Sequence, residues 1–428
     1  MLFIAAIVTV SASCRRGSGA SGLSGAESAT PPAPALSRTV VDRETHDMLD
    51  VQKQREHAVM LMMRFADRTG LTSERTNRRY LWTDAFAVCN FVGLARDTGQ
   101  PRYAELALLL VDRVHHTLGK HRPSDSRSGW ISGLNPAQAE AHPTRGGLRI
   151  GKELPERAPQ EPFDAEREWD RDGQYFHYLT KWMHALNQVA RSTGKPLFNG
   201  WARELAATAH RGFVYSAGGR GQRRMYWKMS IDLSRPLVRS MGQHDALDGY
   251  VTYADLKATA SKLGGSKLDP PLDAEMADFA SMMGDTSLAT DDPLGIGGLL
   301  VDAHRVDQLL AEQRFPQPKL RDALLAAALS GLDQYARAGE SRRPAEQRLA
   351  FRELGLAIGI RAVASMRRTK SDSLLEELGR YDSLASDIIA FWLDPAHQRA
   401  ATWNEHLDIN EVMLATSLAP SGFLTPDF

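Results

Sequence analysis

The sequence predicts an all-α chain in which twelve helices pair into six hairpins, with one small β-hairpin set in a long loop. Three observations carry this. Apolar residues recur at helical spacing along nearly the whole chain after residue 43, as in Tyr178, Leu179, Trp182, Met183, Leu186, Val189 and Ala190. The segments between helices alternate between short and long. Every second helix tends to be apolar on all sides.

The elements follow in chain order. Met1 to Ser13 is nearly all apolar or small and too short to span a bilayer, which reads as a signal peptide over residues 1–13. Ser11-Ala12-Ser13-Cys14 resembles a bacterial lipoprotein signal, in which the cysteine becomes the lipidated first residue. That resemblance implies an exported protein at the periplasm or cell surface, touching the membrane through a lipid on Cys14. Two departures stand beside it: no Lys or Arg precedes the apolar run, and Ser11 stands where Leu is usual. Residues 14–42 are rich in Gly, Ser, Ala and Pro and read as a flexible tether, leaving 43–428 as one domain. The second cysteine, Cys89, lies among apolar residues and reads as a small core side chain.

Composition narrows the classes. The chain is 43% hydrophobic, enough for a large core, and Lys plus Arg balances Asp plus Glu at 52 each. No overall field attracts nucleic acid, and no phosphate-binding glycine pattern occurs. Gly218-Gly219-Arg220-Gly221 reads as the turn of the hairpin, between Phe213-Val214-Tyr215 and Met225 to Met229.

The periodicity places helices at 46–68, 84–97, 101–118, 173–193, 196–213, 246–263, 271–283, 294–313, 318–338, 347–365, 374–392 and 408–418. Helices two and three are joined by Thr98-Gly99-Gln100, and four and five by Thr193-Gly194-Lys195, turns where a glycine suits the left-handed residue after a helix. The segments before helices two, four and six are long, at 69–83, 119–172 and 214–245. Short links join antiparallel neighbours at one end, so the long ones gather at the other. Ala85 to Ala95, Leu294 to Val301 and Leu354 to Ile360 are apolar all round and predict an inner, even-numbered set of helices.

Six hairpins alternating inner and outer resemble the (α/α)6 toroid of six-hairpin glycosidases and of the N-acylglucosamine 2-epimerase group. The resemblance spans about residues 46 to 428 and rests on architecture, with no catalytic motif matched residue by residue.

In such a ring the six inner helix starts share one mouth. They read Leu81-Trp82-Thr83-Asp84, Trp169-Asp170-Arg171-Asp172, Gln243 to Asp248, Thr290 to Pro293, Arg343 to Glu346, and Trp403 to Asp408. Each carries a carboxylate and three carry a tryptophan, a pairing that suits sugar rings. Asp is also a good helix cap, which accounts for Asp292 before Pro293 and, with Glu411, for Asp408. Asp84, Asp172 and Asp245 are the candidate catalytic acids, expected to converge. Trp82, Trp169, Asp170, His177, Tyr226, His244, Asp248, Trp403, Glu405 and His406 are the candidate substrate-binding residues. No metal or other cofactor is expected: His244 with Asp245 and Asp248 lacks the ligand spacing of zinc, and Ca²⁺ on loop carboxylates stays open only as a lesser alternative.

The function expected from the resemblance and the acids is glycosidic cleavage by paired carboxylates on a carbohydrate substrate. Three alternatives stay open: an epimerase or isomerase using His244 and His406, a polysaccharide lyase using Tyr175, Tyr226 and Arg235, and a non-catalytic glycan-binding lipoprotein.

Overall fold

The computed structural model describes residues 38–75, 77–218, 222–266, 269–284 and 287–425, with 38–49 described by backbone alone. The signal peptide, Cys14 and the tether up to residue 37 lie outside the described residues, as do Gly219, Arg220 and Gly221 of the hairpin turn. Twelve long helices carry the described fold. They are α1 Arg38–Arg68, α2 Leu81–Thr98, α3 Pro101–Leu118, α4 Phe176–Thr193, α5 Pro196–Phe213 and α6 Asp245–Leu263. Then come α7 Asp273–Met283, α8 Pro293–Ala311, α9 Leu320–Ala338, α10 Ala350–Arg367, α11 Asp382–Leu393 and α12 Leu407–Leu418.

The even-numbered helices form a closed inner ring. α2 packs on α4, α4 on α6, α6 on α8, α8 on α10 and α10 on α12, and α12 returns to α2. Each inner helix also packs against one outer helix: α2 with α3, α4 with α5, α6 with α7, α8 with α9, α10 with α11, and α12 with α1. The last pair joins the two ends of the described chain. Arg64 and Arg68 of α1 hold Glu411 at 2.8 and 2.7 Å, and Arg68 holds Asp408 at 2.6 Å. Asp408 and Glu411 therefore clasp α1 instead of forming the capping box their spacing offered.

The short turns take the form their residues dictate. Gly99, Gly194 and Gly264 end α2, α4 and α6 with φ of 67°, 65° and 69°, and Pro101 and Pro196 start the next helices. Glycine has a second use where α8 crosses α10. A Cβ on Gly297 would lie 2.2 Å from the Gly355 carbonyl oxygen, so the two backbones touch there.

Five short strands decorate the long-loop end: β1 Gln174–Tyr175, β2 Val214–Ala217, β3 Gln222–Met225, β4 Lys228–Met229 and β5 Pro236–Val238. β2 and β3 form a hairpin at the expected turn, with Val214 opposite Met225, but its second strand is Gln222–Met225 rather than Met225 to Met229, whose Lys228 and Met229 pair elsewhere. β1, β4 and β5 make a three-stranded antiparallel sheet that the sequence did not announce. Because β1 occupies Gln174–Tyr175, α4 begins at Phe176 rather than 173, and Asp172 stands too far upstream to cap it. The expected helix over 374–392 is broken into Ser373–Leu378, a turn at Gly379–Tyr381, and α11. A Cβ on Gly379 would meet the Arg367 guanidinium at 2.5 Å, so the break seats that side chain.

A last short helix, Ser421–Leu424, turns into the ring at the end away from the sheet and the long loops. Gly422 packs on backbone atoms of Cys89 and Gly93 in α2. His184 Nε2 and Gln188 of α4 and Gln308 of α8 meet the carbonyls of Phe423, Gly422 and Leu424 at 2.8 to 2.9 Å.

Candidate functional site

The ring encloses a cavity of about 190 Å³ to which all six inner helices contribute. α2 supplies Trp82 and Phe86, α4 His177 and Lys181, α6 Asp245 and Asp248. α8 supplies Leu294, Gly298, Val301, Asp302 and their neighbours, α10 Gly355 and Ile358, and α12 Met413. Trp227 and the segment Ser240–His244 form one side of the mouth, and Phe423 reaches the cavity from the closed end. Gly298 faces this space, with nothing within 4 Å of the position its Cβ would take.

Two acids one helical turn apart differ sharply. The Asp245 carboxyl accepts a bond from the Gly242 N–H at 3.1 Å, and its nearest basic group is His177 Nδ1 at 4.0 Å. Burial, and then the charge of Asp248, push Asp245 up to about 7. Burial alone would raise Asp248 as well. Lys181, whose Nζ lies 2.9 Å from both carboxylate oxygens, and the Thr180 hydroxyl at 2.5 Å outweigh it and hold Asp248 below the usual range. On the neighbouring helix α8, burial and the same Asp248 charge raise Asp302 to about 6, with Arg305 beside it at 3.4 Å. His177 is pushed down to about 4 by burial and Lys181, so it is neutral near pH 7; Trp227 Nε1 approaches its Nδ1 at 3.3 Å. His244 meets the Leu288 carbonyl at 2.8 Å through Nε2.

The three expected catalytic acids do not converge. Asp245 lines the cavity, whereas Asp84 and Asp172 are buried in the walls. The Asp84 carboxylate takes a bond from the Tyr80 N–H at 3.1 Å and pairs with Arg79 at 3.2 Å, although burial still raises it to about 6. The Asp172 carboxylate takes bonds from Arg149 at 2.9 Å, Arg122 at 3.2 Å, and the N–H groups of Gly151 at 3.0 Å and Gly173 at 3.1 Å. A carboxylate so enclosed binds its own loops together.

The aromatic residues divide in the same way. Trp82 lines the cavity, and Trp169 stands behind Trp227 with ring centroids 4.6 Å apart. Tyr226 stacks on Tyr215 at 4.2 Å, Trp403 is buried against Trp392 at 5.6 Å, and His406 packs on Phe351 at 5.6 Å. Asp170 and Glu405 are exposed. Asp292 caps α8 through the Gly295 N–H at 2.8 Å, pairs with Arg352, and also borders the cavity.

Sequence reasoning passed over Lys181, Asp302 and Phe423 as site residues, and placed Trp227 in a long loop near the mouth without naming it a binding residue. Lys181 lies four residues after His177 and so shares its face, a signal that was readable. Asp302 directly follows the apolar run Leu299-Leu300-Val301, also a readable signal. Phe423 carries no local mark of its role. Among the described residues, no group of three or more His, Cys, Asp or Glu is arranged to hold a metal ion. No helix of the described residues is long and apolar enough to cross a membrane. No family model matches the chain, and no curated protein matches it.

Proposed function

We propose that the chain is a carbohydrate-active enzyme that hydrolyses glycosidic bonds in the lumen of its helical ring. The observation that supports this reading is the pair Asp245 and Asp248, one turn apart on α6 and shifted in opposite directions in one cavity. Paired acids whose environments separate their proton affinities divide into a proton donor and an ionised partner. Asp245, which still carries its proton in about half of the molecules near pH 7, gives that proton to the leaving oxygen. Asp248, held ionised by Lys181 and Thr180, faces the positive charge that develops at the anomeric carbon and takes a proton from the attacking water. Trp82 and Trp227 offer flat faces for the ring's C–H groups.

The test is hydrolysis of a panel of aryl glycosides and soluble polysaccharides by the wild type, Asp245→Asn and Asp248→Asn. Each variant is expected to lose activity by roughly 10² to 10⁴-fold while still unfolding cooperatively. Full activity in both would sink the reading. The residues before the tether support export with a lipid on Cys14. A Cys14→Ala variant that stays membrane-bound would refute that anchor.

A further inference from the structure

We propose that the lumen is a blind pocket that takes the end of a glycan chain, so that the enzyme releases terminal sugars rather than cutting within chains. This rests on the hydrolase reading above and adds the substrate's geometry to it.

A ring of six hairpins has two openings, and a chain cut at an internal bond must lie across one mouth or thread both. Here the far opening is filled by the protein's own residues 421–424. Gly422 is pressed onto the α2 backbone, where an added Cβ would fall 2.0 Å from the Cys89 carbonyl oxygen. The donors that meet the Phe423, Gly422 and Leu424 carbonyls come from α4 and α8, so the segment bridges three inner helices. Its Phe423 ring stacks on Phe86, and both line the cavity floor. No sugar chain passes through a floor packed in this way.

The open end is narrowed as well. The Gln243 amide donates to the carbonyls of Ser287 at 2.8 Å and Ala289 at 2.9 Å, and His244 meets the carbonyl of Leu288. Two rim loops are thereby fastened together beside Asp245. The remaining space, about 190 Å³, is below the roughly 300–1,000 Å³ of sites that enclose drug-sized ligands. It is sized for one sugar ring rather than a row of them. Since Asp245 and Asp248 border that same space, the ring seated in it carries the bond to be cut, and the rest of the chain stays outside.

The experiment uses the full chain on reducing-end-labelled oligosaccharide ladders from a panel of glycans, each beside a counterpart blocked at its non-reducing end or closed into a ring. The expected result is stepwise shortening of an open ladder by single units, with its blocked or cyclic counterpart intact. A Gly298→Met variant, whose side chain enters the lumen, should lose this cleavage on the order of a hundredfold without a fall in melting temperature. Cleavage of blocked or cyclic glycans, or early mid-chain fragments, would overturn the blind pocket and leave hydrolysis standing. Failure to cut any ladder would overturn the hydrolase reading, and this inference with it.

Discussion

The Phe423 ring stacks on that of Phe86 with centroids 4.5 Å apart and planes 18° from parallel. The pair ties the C-terminal segment to the inner wall of α2, so the floor of the lumen depends on a contact made by residues far apart in the chain. Phe423→Ala removes one ring of the pair. Burial of Phe423 sets the expected loss at about 3 kcal/mol, the lower end for a large-to-small aromatic change because one face already borders the cavity. Urea unfolding reads it. Gly422→Ala places a methyl against the Cys89 and Gly93 backbones, and amide exchange over residues 421–425 should quicken by more than in Phe423→Ala.

Asp245 makes two pH predictions of definite sign. Its proton is needed by the proposed reaction, so kcat/KM should fall as pH rises through about 7. Its native pKa also lies above the unfolded value of 3.8, so the folded state holds a proton that the unfolded state has released. That difference removes stability progressively between pH 3.8 and about 7, by at most about 4 kcal/mol. Asp245→Asn carries no such charge and should therefore be more stable than wild type at pH 8, with the gain gone below pH 4. A variant equally or less stable at pH 8 would show that the carboxyl is not desolvated.

Adjacent glycines on α8 should behave oppositely. Gly298→Ala adds a methyl to open space within a helix and should stabilise by up to about 1 kcal/mol. Gly297→Ala drives a methyl into the Gly355 carbonyl 2.2 Å away and should destabilise by about 1–3 kcal/mol or more. Thermal unfolding of the two side by side checks the α8–α10 crossing; equal effects would count against it.

Asp172 offers a test of wall against site. Asp172→Ala leaves Arg149 without its buried partner and should cost about 3–5 kcal/mol. Asp172→Asn, which keeps the shape, should lose less stability and little activity at temperatures where it is folded. A large loss of activity in a fully stable Asp172→Asn would return Asp172 to the reaction.

The ring was legible because its evidence is periodic and repeated. Link lengths around Gly99 and Gly194 fix which helices are neighbours, and α2 and α10 are apolar on every side because they are enclosed on every side. The acids were legible only as types. Asp84 and Asp172 stand at the right end of the ring, yet their direction is set by Arg79, Arg122 and Arg149, and nothing in a residue's own neighbourhood says whether a distant guanidinium will claim it. Asp245 differs in having no such claimant within 4 Å, which is a property of the packed ring and not of any motif. The three-stranded sheet was missed because β1 and β4 are two residues each, too short for alternation to register.

The clasp between Arg68 of α1 and Asp408 and Glu411 of α12 also ties closure of the ring to the arrival of its last helix. Before α12 docks, α1 has no partner in the sixth hairpin, and the lumen-facing sides of α2 and α10 look out on solvent. Only when residues 407–425 emerge can the circle shut and its floor be laid. Until then the nascent protein is an open arc with a long apolar inner edge, the kind of surface that holdase chaperones bind. The pocket therefore takes shape only after residues 407–425 have joined the ring.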